Sequence, residues 1–210
     1  MKTSESTTTA SAATGAAASH DPVRGNGNSS DASSGDTPEN HVTPARRVDV
    51  AVRSILLMGA GQRAEFEPLY HPGAVDRENR IQPPSSRVTG PDGFWSTAQW
   101  LRAAFDGLHY EIHHAVATDD LVAVNSSMVG THTAPWVVYA DDGSIDSVFP
   151  PTRRPFRMTQ SHWFRLREGR IVEHWANRDD LGMARQVGWL PPTPAYLVRM
   201  ALAKRRAQRP

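Results

Sequence analysis

MTQSHWFRLREGRIVEHWANRDDLGMARQVG, residues 158–188, holds two strands, a turn, a cluster of ionisable side chains and a helix start in one short run. Residues 158–166 are rich in aromatic and β-favouring side chains, Arg167, Glu168 and Gly169 suit a turn, and residues 170–176 read as a second strand. Together they predict an antiparallel hairpin. Side chains alternate along a strand, which puts Ile171, Glu173 and Trp175 on one face and Val172 and His174 on the other, with His162 and Phe164 opposed to Trp163 and Arg165. Leu181, Met183, Ala184 and Val187 then recur at helical spacing as far as Gly188. The strand end, the helix start and the adjacent carboxylates Asp179 and Asp180 meet at one junction, a place suited to a proton-transferring group.

Upstream, residues 121–130 and 108–116 alternate well enough for two more strands, turning at Thr118, Asp119 and Asp120. A smaller hairpin pairs residues 136–139 with 145–149 across Asp141, Asp142, Gly143 and Ser144. Before the strands come helices. Val48, Val52, Ile55, Leu56 and Leu57 mark an amphipathic helix ending near Gly59 to Gly61, residues 63–70 a second stopped by His71, Pro72 and Gly73, and residues 94–105 a third. Helices grouped before antiparallel strands specify an α+β layer architecture, a curved sheet wrapped around N-terminal helices with a concave pocket.

Residues 1–43 carry almost no large apolar side chains and are expected to be a disordered polar tail, with His20 and His41 as bystanders. The folded domain is expected over 44–192. Residues 193–210 form a further helix with a basic end, whose cations suit a helix C-terminus. The 210-residue chain has a net charge of +1, which argues against a general nucleic-acid surface. No apolar run approaches the ~18 residues of a membrane span, and no secretory signal is read at the N-terminus. With no cysteine, disulfides and thiolate chemistry are excluded, and the expected setting is the cytoplasm.

The residues now assembled resemble the SnoaL-like polyketide cyclases and ester cyclases of the nuclear transport factor 2-like superfamily, over about residues 48–192. The most specific part is Gly169-Arg170-Ile171-Val172-Glu173-His174-Trp175, then Asp179, Leu181-Gly182 and Gln186-Val187-Gly188. Tyr70-His71-Pro72, Gly90-Pro91-Asp92-Gly93-Phe94 and Gly130-Thr131-His132-Thr133 add weaker support. The resemblance implies a cone-shaped α+β barrel, cystatin-like in layout, with a deep apolar pocket for a hydrophobic small molecule. It also implies a homodimer through the outer sheet face, and ring closure by intramolecular aldol condensation without metal or cofactor. Asp179 matches the family's acid/base aspartate. Two departures remodel the pocket mouth: Asp76-Arg77 stands where many relatives carry Asn-His, and residues 136–149 are inserted.

An aspartate of ordinary pKa, about 3.9, is too weak a base for aldol chemistry, so Asp179 would need desolvation beside a ring such as Trp175; the alternative is a helix cap. His162 is the candidate oxyanion donor or proton partner, or else a core histidine. His132, Arg165, Trp175 and Trp136 are the candidate substrate contacts, although Arg165 and Glu173 suit a structural ion pair equally well. Nine histidines invite a metal site, but His113 and His114 face opposite ways and His109 and His113 lie roughly 13 Å apart along a strand, so no local metal motif is read. The sequence thus points to a cofactor-independent cyclase or isomerase, the alternative being a non-catalytic binding protein with the same pocket.

Overall fold

The computed structural model describes residues 43–209, so the expectations for residues 1–42, His20 and His41 included, lie outside the described residues. The first elements are α1 (Pro44–Ala60), α2 (Arg63–Phe66), the strand β1 (Tyr70–Asp76) and α3 (Pro91–Ala104). Six strands follow: β2 (Phe105–Ala117), β3 (Leu121–His132), β4 (Trp136–Tyr139), β5 (Ile145–Phe149), β6 (Pro155–Arg167) and β7 (Arg170–Arg178). The chain then enters α4 (Asp180–Gln186) and α5 (Pro194–Ala207). One sheet runs β1-β7-β6-β3-β2, antiparallel except for β1 against β7, and β4 with β5 makes the separate small hairpin. No helix among the described residues is long and apolar enough to cross a membrane.

Local chemistry accounts for the helices. Thr43 caps α1 by accepting from Arg46 N, and Pro44 takes a first-turn position where a missing N–H costs nothing. Val50, Ala51, Ser54, Ile55 and Leu57 form its buried stripe. A Cβ at Gly59 would lie 2.8 Å from Leu108 O, so glycine lets α1 sit close on β2. Arg102 of α3 donates to Met58 O and Gly61 O at 2.8 Å each and to Leu57 O, giving the orphaned end of α1 its missing donors.

Two features differ from the sequence reading. The sequence ends a helix at residue 70 and signals no strand after it, whereas α2 stops at Phe66 and Tyr70–Asp76 is strand β1. Pro72 and Gly73 are tolerated because β1 is an edge strand whose register against β7 shifts between Tyr70 and Val75. The second difference is a bulge. Arg165 pairs with Glu173 while Leu166 pairs with Ile171, which leaves Val172 as the extra residue of β7. Strict alternation would part Ile171 from His174, but after the bulge Ile171, His174 and Ala176 are all buried on the inner face and Glu173 and Trp175 turn outward. In β2, His113 is similarly extra, and Val116 ends up 66% exposed.

Candidate active site

Between the inner sheet face and helices α1 and α3 lies a cavity of about 360 Å³, within the range of small-molecule sites. Most of its wall is apolar. Trp100 and Trp136 pack at 3.7 Å between ring centroids, Phe105 lies 4.9 Å from Trp136, and Phe149 and Trp189 close the same end at 4.5 Å. Trp100 Nε1 donates to Val137 O at 2.9 Å, which ties the β4–β5 hairpin to α3. Met58, Met128, Met158 and Met183 add adaptable surface. The exposed Ile81 and Asp180 are also lining residues, so the mouth lies on their side.

One polar file interrupts this wall. β6 presents Gln160, His162 and Phe164 inward at alternate positions, and β7 sets His174 diagonally beside them. His162 Nδ1 and His174 Nε2 are 3.0 Å apart, and His174 Nδ1 is 3.0 Å from Asp76 Oδ1. The carboxylate is held from two further directions. Glu78 N donates to Oδ1 at 3.0 Å and Gln82 Nε2 to Oδ2 at 3.3 Å, while Thr97 donates to Gln82 Oε1 and so fixes which end of that amide faces Asp76. All three members of the file are at least nine-tenths buried.

Burial works against the Asp76 carboxylate, but the facing His174, the hydrogen bond between them, the Glu78 N–H and the Gln82 amide outweigh it and hold the carboxyl below the usual aspartate range. For His162 burial, then the positive charge His174 carries whenever it is protonated and that of Arg178, act in one direction and keep the ring well below the usual histidine range, hence neutral near pH 7. His162 Nε2 has no hydrogen-bond partner among the described residues.

The residues singled out in the sequence divide sharply. His162 and Trp136 line the cavity. Asp179 does not: it is exposed at the α4 N-terminus, where its carboxylate accepts from Gly182 N at 2.8 Å, and it is a helix cap rather than a desolvated acid. Arg165 and Trp175 face outward across the sheet. Arg165 pairs with Asp120 at 2.6 Å and with Glu173 at 3.6 Å, and Trp175 stacks on Trp163 with Arg77 over its ring at 5.5 Å. His132 is fully buried but stands behind the wall, edge-on to Trp189 at 5.2 Å. Asp76 and His174 were missed as site residues. Asp76 had been noticed only as a departure from relatives, because its strand was not foreseen; the Glu-His-Trp run did mark His174, but the bulge hid its face. Among the described residues no group of three or more His, Cys, Asp or Glu side chains is placed to hold a metal ion.

A concave antiparallel sheet closed over helices around an apolar, acid/base-lined cavity is the nuclear transport factor 2-like α+β cone. The SnoaL-like polyketide cyclase model matches residues 57–187, and the chain belongs to that family of cyclase-like enzymes. An aklanonic acid methyl ester cyclase of Streptomyces peucetius is 25% identical over 154 residues, covering 70% of this chain and 94% of the relative. IdmH, a candidate polyketide cyclase of Streptomyces antibioticus, is 28% identical in structural alignment with a TM-score of 0.50, covering 68% of this chain and 98% of the other. TsrD of Streptomyces laurentii shares the fold at 17% identity, with a TM-score of 0.58 over 71% of this chain and 99% of its own.

Proposed function

We propose that the protein closes a carbon ring by an aldol-type step in this cavity, using acid/base catalysis and no cofactor on a hydrophobic, polyketide-like carbonyl compound. The observation that carries the reading is His162: a neutral imidazole on an otherwise apolar wall, with Nε2 free of any partner among the described residues. Aldol closure begins with removal of a proton from carbon flanked by carbonyls, and a neutral imidazole of this kind is a suitable base. The enolate oxygen needs a donor. Gln160, buried two residues along the same face of β6, offers an amide N–H, and Arg178, its partner across the ladder, adds positive charge at the cavity edge. The ring cluster of Trp100, Trp136 and Phe149 suits a flat, conjugated substrate.

Aklanonic acid methyl ester, named for the Streptomyces peucetius relative, is the first probe. Closure followed by chromatography, and lost in His162→Ala, supports the reading. Tight binding of such probes without closure or proton exchange favours the non-catalytic binding protein. The same reading includes a homodimer through the outer sheet face, where Trp163 and Trp175 are only partly buried, and the reducing cytoplasm as the setting of a chain without cysteine. Sedimentation equilibrium tests the dimer.

A further inference from the structure

We propose that Asp76, His174 and His162 form a proton store: His162 Nε2 takes the proton from substrate carbon, His174 holds it against Asp76, and the same path returns it to the new oxygen. The inference rests on the cyclase reading of this cavity and adds where the proton waits. An ionised carboxylate only accepts hydrogen bonds, and both oxygens of Asp76 already receive donors from Glu78 N and Gln82. His174 Nδ1, 3.0 Å from Oδ1, therefore bears hydrogen. In neutral His174, Nε2 is then a lone pair, so His162 Nδ1 at 3.0 Å must be the donor. His162 in turn has its lone pair on Nε2, the nitrogen without a partner among the described residues. Three contacts thus fix which atom of the file is basic.

The reaction balances along this path. The C–H bond breaks, its proton goes to His162 Nε2 and the electron pair becomes the enolate. His162 Nδ1 passes its own hydrogen to His174 Nε2, so the positive charge rests on His174 beside the Asp76 carboxylate, and His162 is neutral again with hydrogen on Nε2. The enolate carbon attacks the second carbonyl, a C–C bond forms, and the resulting alkoxide takes the Nε2 hydrogen as His174 Nε2 returns its own to His162 Nδ1, so that His162 stays neutral throughout and His174 loses its charge. The buried His162 is a poor place to keep the charge, whereas His174 is the ring that touches a carboxylate. Asp76 and His174 are positioning residues in this scheme. The other charged or titratable groups around the pair are Glu78, Arg178 and Asp180 at the mouth and Tyr70 and Tyr110 among the cavity lining.

The test uses the full chain with nitrogen-15 in its histidine rings, His162→Gln and His174→Gln serving to assign signals. At neutral pH both rings are expected to carry hydrogen on Nδ1 with a bare Nε2. Hydrogen on Nε2 of either ring with Nδ1 bare overturns the proposal. In Asp76→Asn the amide oxygen still accepts from His174, so the tautomers persist, but the charged state loses its counter-ion. Deuterium uptake from heavy water into the acidic carbon of aklanonic acid methyl ester is expected to fall by about 100-fold or more. Uptake within a few-fold of the parent also overturns the store. No uptake by the parent protein, with the ring states as expected, overturns the cyclase reading while the path between the rings stands.

Discussion

The Asp179 carboxylate accepts from Gly182 N at 2.8 Å, and a Cβ on residue 182 would come within 2.0 Å of its Oδ2. Asp179, a catalytic candidate in the sequence, and Gly182 are therefore one capping device. Asp179→Ala is expected to cost about 0.5–2 kcal/mol in urea unfolding and Asp179→Asn much less, since Asn caps nearly as well. Gly182→Ala should also destabilise by dislodging the cap. The double change Asp179→Ala with Gly182→Ala should cost less than the sum, because the clash disappears with the carboxylate.

Acid should loosen the protein in a defined window. Burial pulls His132 down to about 4, with backbone hydrogen bonds opposing, against an unfolded value near 6.5. Between those values the unfolded chain binds the extra proton, so stability is full above about pH 6.5 and falls as pH drops to about 4. His162, also depressed, acts in the same direction. The depressed Asp76 carboxyl contributes stability that is present above the usual aspartate range and lost as pH falls through its lower folded value. Urea midpoints measured from pH 7 to 4 should fall throughout, and His132→Gln should flatten the upper part of the slope.

Arg102 fastens α3 to the end of α1 by three backbone carbonyls. Replacing it with Ala strips Met58 O and Gly61 O of this donor, while Leu57 O keeps Gly61 N, and a loss of about 1.5–3 kcal/mol is expected in the same unfolding experiment. Arg165→Ala, which removes an exposed pair with Asp120 on the outer face, should leave the unfolding midpoint nearly unchanged and turnover alone.

Trp136 stands between Trp100 at 3.7 Å and Phe105 at 4.9 Å on the cavity wall. Trp136→Phe should keep the fold and raise KM with little change in kcat, as expected of a contact made equally in ground and transition states. Trp136→Ala should cost about 3–5 kcal/mol of stability as well. Steady-state kinetics with thermal unfolding separates the two effects.

Much of the architecture is legible in the sequence because period-two patterns and turn residues are local. The 158–188 hairpin and helix, the 136–149 hairpin and the leading helices all appear in the structure at or near the expected positions. What was hidden is non-local. β1 pairs in parallel with a strand a hundred residues away, and nothing around Pro72 and Gly73 signals a strand without that partner. The single extra residue Val172 reverses the faces beyond it, bringing His174 to Asp76 and turning Trp175 out. Asp179 was misjudged for a different reason: spacing along a chain says where a carboxylate is, not whether water reaches it.

The proposed chemistry requires His162, not Asp179, to move the proton. Rates of closure of aklanonic acid methyl ester by His162→Ala and Asp179→Asn, measured beside the parent protein, decide it directly. The expected result is a loss of about 100- to 10,000-fold for His162→Ala and a change of no more than a few-fold for Asp179→Asn. The reverse order would contradict the assignment and return the chemistry to the helix cap.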